Sequence, residues 1–116
     1  MDNSKIAIIG LGYVGLPLSI EFGKAFQTIG FDTKKSRVSE LKRGHDSGLE
    51  VTAEEFQGSA MLTFTNDVSD IANCNIFIIT VPTPIDEYKQ PNLIPLITAS
   101  QTVGKFLQKD DLVIYE

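Results

Sequence analysis

Residues 10–15 read "GLGYVG", three glycines at G-x-G-x-x-G spacing directly after the apolar run "KIAII". Three glycines in six residues mean little alone, so the reading depends on what flanks them. Gly10 permits a tight turn out of a strand. Gly12 has no Cβ and lets a phosphate group approach the backbone, and Gly15 lets a following helix pack closely on the strand. A helix starting there offers unpaired N–H groups and partial positive charge to an anion. The pattern needs an acid about 20 residues further on, at the end of a second strand. Asp32 stands 22 residues after Gly10, closing "TIGFD". A carboxylate there accepts hydrogen bonds from adenosine ribose hydroxyls and repels a 2′-phosphate, which favours NAD over NADP. Lys34, Lys35 and Arg37 follow at once and soften that repulsion.

A second group is "TVPTP" (80–84), with Val81, Pro82, Thr83 and Pro84 leaving the chain's strongest apolar strand. Thr83 offers a hydroxyl to a cofactor's phosphates or ribose, and the prolines stiffen the loop. Other reactive residues fit less well. His45 is the only histidine and lies in "RGHDSG", where a solvated surface role is the simpler reading. Cys74 precedes a buried strand and has no neighbouring bases in sequence that would activate it. No His, Cys, Asp or Glu residues have metal-site spacing, so neither a catalytic residue nor a metal ligand is assigned.

These residues need elements to hold them. "KIAII" (5–9) reads as a buried strand. Val14, Leu18, Phe22 and Ala25 mark a helical face, with Pro17 tolerated in the first turn. "TIGFD" (28–32) is a second strand. "SRVSELKRG" (36–44) is a helix with Ser36 as N-cap and Gly44 as stop. "TAEEF" (52–56) is a helical turn capped by Thr52, "MLTFT" (61–65) a strand, and "DVSDIANC" (67–74) a short helix. "NIFIITV" (75–81) is apolar enough for a central strand covered on both faces. Leu96, Ala99, Val103, Phe106 and Leu107 form the next helical face, and "LVIYE" (112–116) is a last strand. Strands alternating with helices predict an α/β, Rossmann-type, doubly wound parallel sheet of order 3-2-1-4-5. The first and fourth strands are then neighbours, so the glycine loop and "VPTP" face each other across one crevice.

The bulk numbers agree. The 116 residues suit one domain, 1–116, with 42% hydrophobic and 22% charged side chains. A net charge of −5 argues against nucleic-acid binding. No apolar run is long enough for a membrane span. The N-terminus lacks a signal-peptide layout and the chain has a single cysteine, so a cytoplasmic location is expected.

"KIAIIGLGYVGLPLS", "IGFD" with its following arginine, "VPTPID" and the terminal "VIYE" together resemble the N-terminal NAD-binding domain of the UDP-glucose/GDP-mannose dehydrogenases. The resemblance runs along nearly the whole chain. "GHDSGLEV" (44–51) and "VPTPID" (81–86) are more similar to the UDP-N-acetylhexosamine 6-dehydrogenase branch. The resemblance implies oxidation of the C6 alcohol of a UDP-sugar to the carboxylate with two NAD, the intermediate aldehyde being held on a cysteine. It places the cofactor loop on Gly10, Leu11, Gly12, Tyr13, Val14 and Gly15, the ribose-binding acid on Asp32 and an adenosine-contacting base on Arg37. It places the post-strand loop on Val81 to Ile85. It also implies that the nucleophile and the UDP-sugar site lie beyond Glu116, so that this stretch is inactive alone, and that an uncovered last strand invites self-association. Two other readings share the opening motif. One is a non-catalytic NAD-sensing module, which generally lacks "GYVGLP" and "VPTPID". The other is a dehydrogenase of the 6-phosphogluconate type, which usually carries a basic residue where Asp32 stands.

Overall fold

The computed structural model describes residues 4–82, 85 and 88–116. Among them five strands, β1 (Lys5–Ile9), β2 (Gln27–Phe31), β3 (Leu62–Thr65), β4 (Ile76–Ile79) and β5 (Leu112–Tyr115), form one sheet. Its order is β3-β2-β1-β4-β5 and every pairing is parallel, as the alternation of strands and helices predicts. The helices are α1 (Gly15–Gly23), α2 (Lys35–Lys42), α3 (Ala53–Gly58) and α4 (Ile94–Gly104), with a 3-10 turn at Val68–Ile71.

β1 shows why its sequence is apolar without alternation. Ile6 and Ile8 join Leu16, Ile20 and Leu41 in a core on the α1 and α2 side. Ala7 and Ile9 join Phe77, Ile79, Ala99 and Val103 in a core on the α4 side. A strand buried on both faces has no polar face to show.

The structure corrects several local expectations. The buried stripe of α1 is Gly15, Leu16, Ser19, Ile20 and Gly23, and of the expected Val14, Leu18, Phe22 and Ala25 it is Phe22 that packs against that core, partly buried. Small residues win because this helix lies very close to its neighbours. A Cβ on Gly23 would stand 2.6 Å from the Leu62 Cβ and 2.2 Å from the Ser59 Oγ. Ser36 does not cap α2. The cap position is Lys34, with no capping side chain of its own, and its N–H donates instead to Asp32 Oδ1 at 2.9 Å. Gly44 does end that helix region, in the left-handed conformation at φ 74°. The helix expected at 67–74 shrinks to the 3-10 turn, with Asp67 accepting from the Ser69 N–H. β4 is shorter than 75–81 because β1 and β5 each pair with only four of its residues. On α4, Ala99 and Val103 are buried and Leu96 and Phe106 pack against them, while Leu107 is largely exposed.

Candidate functional site: the crevice at the carboxyl ends of β1, β2 and β4

The three glycines of the loop after β1 do three separate things. Gly10 adopts φ 104°, and a Cβ there would press within 3.0 Å of the Val81 backbone. Its N–H donates to the Phe31 carbonyl at 2.8 Å, tying the loop to the end of β2. A Cβ on Gly15 would fall 1.7 Å from the Gly10 carbonyl oxygen and 2.5 Å from Thr80 Oγ1, so only glycine lets α1 start there. A Cβ on Gly12 would meet nothing within 4 Å. Protein packing therefore gives no reason for glycine at 12, whereas a ligand lying against the backbone does.

The start of α1 is also left open. α1 has no side-chain cap and no acid in its first turn, whereas α3 is closed by a full capping box of Thr52 and Glu55. Among the described residues, the N–H groups of Gly12, Tyr13 and Val14 donate to no protein acceptor. Tyr13 and Val14 turn their side chains outward, 79% and 49% exposed. Unpartnered N–H groups at a helix start suit an anion.

The peptide groups flanking Leu11 are held from both sides. The Leu11 N–H donates to Asp32 Oδ2 at 3.0 Å, and the Leu11 carbonyl accepts from Arg37 Nε at 2.9 Å. The Leu11 side chain anchors the loop in the core on the α1 side. Both Asp32 oxygens thus take one backbone N–H each, which fixes the carboxylate and leaves further lone pairs for a diol. Arg37 is fixed in turn, its Nη1 donating to Glu40 Oε1 at 2.6 Å and Asp46 Oδ1 at 2.7 Å. The Asp46 side chain has no exposed surface and also accepts from the N–H groups of Gly48, Glu50 and Val51. Burial opposes charge on Asp46, but hydrogen bonds from Arg37 and the Glu50 and Gly48 N–H groups outweigh it, holding its pKa below the ordinary value. Burial likewise opposes the Arg37 charge and is outweighed by its bonds to Asp46 and Glu40, which raise its pKa.

An apolar cavity of about 220 Å³ lies between the ends of β1 and β2 and helix α4. Gly10, Asp32 and Val81 line it beside Ile94, Thr98 and Thr102 of α4. The structure thus brings the glycine loop, Asp32, Arg37 and Val81 together. Pro82 is exposed just beyond Val81, and Thr83 and Pro84 lie outside the described residues. Two roomier hollows, of about 540 and 610 Å³, sit against β3 and at the opposite end of the sheet. Neither contains the glycine loop or Asp32.

Sequence reasoning missed five contributing residues. Thr80 donates its hydroxyl to the Gly10 carbonyl at 2.7 Å, joining the ends of β1 and β4. Ile94, Thr98 and Thr102 recur every fourth residue, a second stripe on α4 that lines the cavity. Asp46 carries no signal beyond lying in "GHDSG". His45 is exposed. Cys74 is buried at the amino end of β4, away from the crevice, where burial pushes its thiol pKa up to about 11.

The residues present fit a dinucleotide: open backbone at Gly12, free N–H groups, an oriented carboxylate and an apolar slot for a base. The comparisons agree. Residues 4–116 match the model of the UDP-glucose/GDP-mannose dehydrogenase family, NAD binding domain. All 116 residues align at 58% identity with the UDP-N-acetyl-D-glucosamine 6-dehydrogenase of Salmonella typhi, covering 27% of that protein. They align at 54% with the Pseudomonas aeruginosa enzyme of the same name, covering 28% of it. The solved UDP-D-ManNAc dehydrogenase of Pyrococcus horikoshii superposes with a TM-score of 0.83 at 31% identity, over 97% of this chain and 28% of that one. The chain thus spans little more than a quarter of the relatives it matches. Strand order, glycine loop, acid and family match converge: this chain belongs to the UDP-glucose/GDP-mannose dehydrogenase family, as its NAD-binding domain.

Proposed function

We propose that the chain holds NAD across the ends of β1, β2 and β4 on behalf of a UDP-N-acetylhexosamine 6-dehydrogenase. Asp32 receives the adenosine ribose hydroxyls. The Gly12, Tyr13 and Val14 N–H groups, with the start of α1 at Gly15, receive the pyrophosphate. Gly10 and Leu11 shape the loop, Arg37 braces it from the adenosine side, Val81 and Pro82 stand on the opposite bank, and the following Thr83 and Pro84 are assigned to cofactor contact. When bound, NAD supplies the hydride acceptor for oxidation of a sugar C6 alcohol. The observation that carries this reading is the open position at Gly12 beside a carboxylate already fixed on the Leu11 N–H.

The branch assignment is supported by the identity to two UDP-N-acetyl-D-glucosamine 6-dehydrogenases over the whole chain. It carries with it a cytoplasmic location and a role in polysaccharide biosynthesis. Substrate binding and the nucleophile are assigned to parts of the enzyme outside residues 1–116. The exposed β5 edge is assigned to contact with other protein surface, including a second copy of the chain.

The test is a titration of the chain with NADH and NADPH by fluorescence or calorimetry. One charge-assisted hydrogen bond contributes about 1.5–3 kcal/mol, so NADH should bind tighter by roughly tenfold or more. Equal affinities would remove Asp32 from its role. The chain alone should produce no NADH from NAD and UDP-N-acetylglucosamine, and steady production would overturn the division of labour.

A further inference from the structure

Asp32 alone does not explain a preference for NAD, because three cations follow within five residues. A nearby arginine is what NADP-binding versions of this fold use to accept the 2′-phosphate. Lys34 and Lys35 are exposed, where solvent and salt screen their charge. Arg37 differs. Its side chain is only 16% exposed and is locked onto the Leu11 carbonyl in the cofactor loop. It is the cation whose charge is felt most strongly beside the adenosine end.

We propose that Asp46, seconded by Glu40, sets the cofactor preference of the crevice by engaging and neutralising the Arg37 guanidinium. Asp46 is then a positioning residue acting through Arg37. The proposal rests on the crevice being a dinucleotide site, and it extends that reading to a residue with no place in the glycine fingerprint.

The geometry supports it in three ways. Asp46 is wholly buried and is anchored by three backbone N–H groups before it meets Arg37, so it does not follow Arg37 if the guanidinium moves. Arg37 Nη1 is held by two carboxylates at once, at 2.6 and 2.7 Å. One cation between two anions gives the cluster a net negative charge, which adds to Asp32 instead of cancelling it. A hollow of about 210 Å³ is lined by Asp46 and Arg37 together with Gly12 and Tyr13. A 2′-phosphate near Asp32 would therefore meet a negative cluster where the sequence suggests a positive one.

The experiment measures NADH and NADPH affinities of the chain as wild type, Asp46→Asn and Glu40→Gln, with circular dichroism to check folding. Asp46→Asn should narrow the NADH-over-NADPH ratio by threefold or more. Glu40→Gln leaves the buried Asp46 carboxylate on Arg37 and should narrow the ratio less, in the same direction. A purely structural role would lower both affinities together, so an unmoved ratio in either folded variant overturns the proposal. If Asp46→Asn does not fold, the ratio in Glu40→Gln decides. A wild-type chain that binds neither cofactor defeats the dinucleotide reading itself, and one without preference removes the discrimination Asp46 is proposed to set. Failure of the Asp46 proposal alone appears as an unmoved ratio in a chain that still prefers NADH.

Discussion

Gly12 and Gly15 are separated by two residues and face opposite constraints. Gly12→Val places its side chain in open space, so the variant should fold with wild-type stability and lose NADH binding, read by thermal melts with and without NADH. Gly15→Ala forces a Cβ into the Gly10 carbonyl. Overpacking against backbone costs about 1–3 kcal/mol, so this variant should melt markedly lower even without ligand. If both variants lose only binding, the close packing of α1 does not depend on Gly15. Sequence spacing anticipated the close packing at Gly15, which follows from the absence of a Cβ, and it marks Gly12 as a position left open. Asp46 was not legible in the same way. Its importance comes from burial and from four donors converging on it, and neither can be read from "GHDSG".

At the scale of elements, the segment 46–51 is attached to the cofactor loop through α2, and the attachment is ionic. Asp46 and Glu40 both have pKa values lowered in the folded state, Asp46 by hydrogen bonds that outweigh its burial and Glu40 chiefly by its bond from Arg37. A carboxylate with a lowered folded-state pKa contributes stability that is complete above its unfolded value, about 4, and is lost as pH falls through the folded value. Urea midpoints should therefore be flat from pH 5 to 7 and fall below about pH 4. Asp46→Asn should flatten that acid limb, and an unchanged limb would place the acid sensitivity elsewhere. α3 is a separate case. Its capping box joins Thr52 and Glu55, and none of its residues is buried. Thr52→Ala should cost about 1 kcal/mol and leave NADH affinity unchanged. Its Thr52 cap was readable, because the residue type and its place before the helix carry the physics. The α1 face was misread because a search for large apolar side chains passes over Gly15, Ser19 and Gly23, whose smallness is what packs.

For the whole molecule, the candidate site gathers at one end of the sheet and the two edges are left to β3 and β5. The strand order follows from the alternation of elements and the handedness of crossovers, so it was legible without any long-range signal. β5 exposes Leu112, Ile114 and Tyr115, with the Tyr115 hydroxyl 3.0 Å from Ser100 Oγ of α4. Such an edge invites pairing with another chain. Sedimentation velocity over a hundredfold concentration range should show association that Ile114→Lys suppresses, and a monomer throughout would mean that this edge is inert. The opposite end of the sheet holds Cys74, with its thiol at about 11 and 4% exposed. At neutral pH it should react slowly with thiol reagents until the chain opens, since the thiolate is the reacting species. The single cysteine is therefore a built-in clock for unfolding. Its rate of labelling counts openings, and because a ligand that binds only the folded state makes openings rarer, the slowing of that clock by NADH measures cofactor affinity without any probe in the crevice.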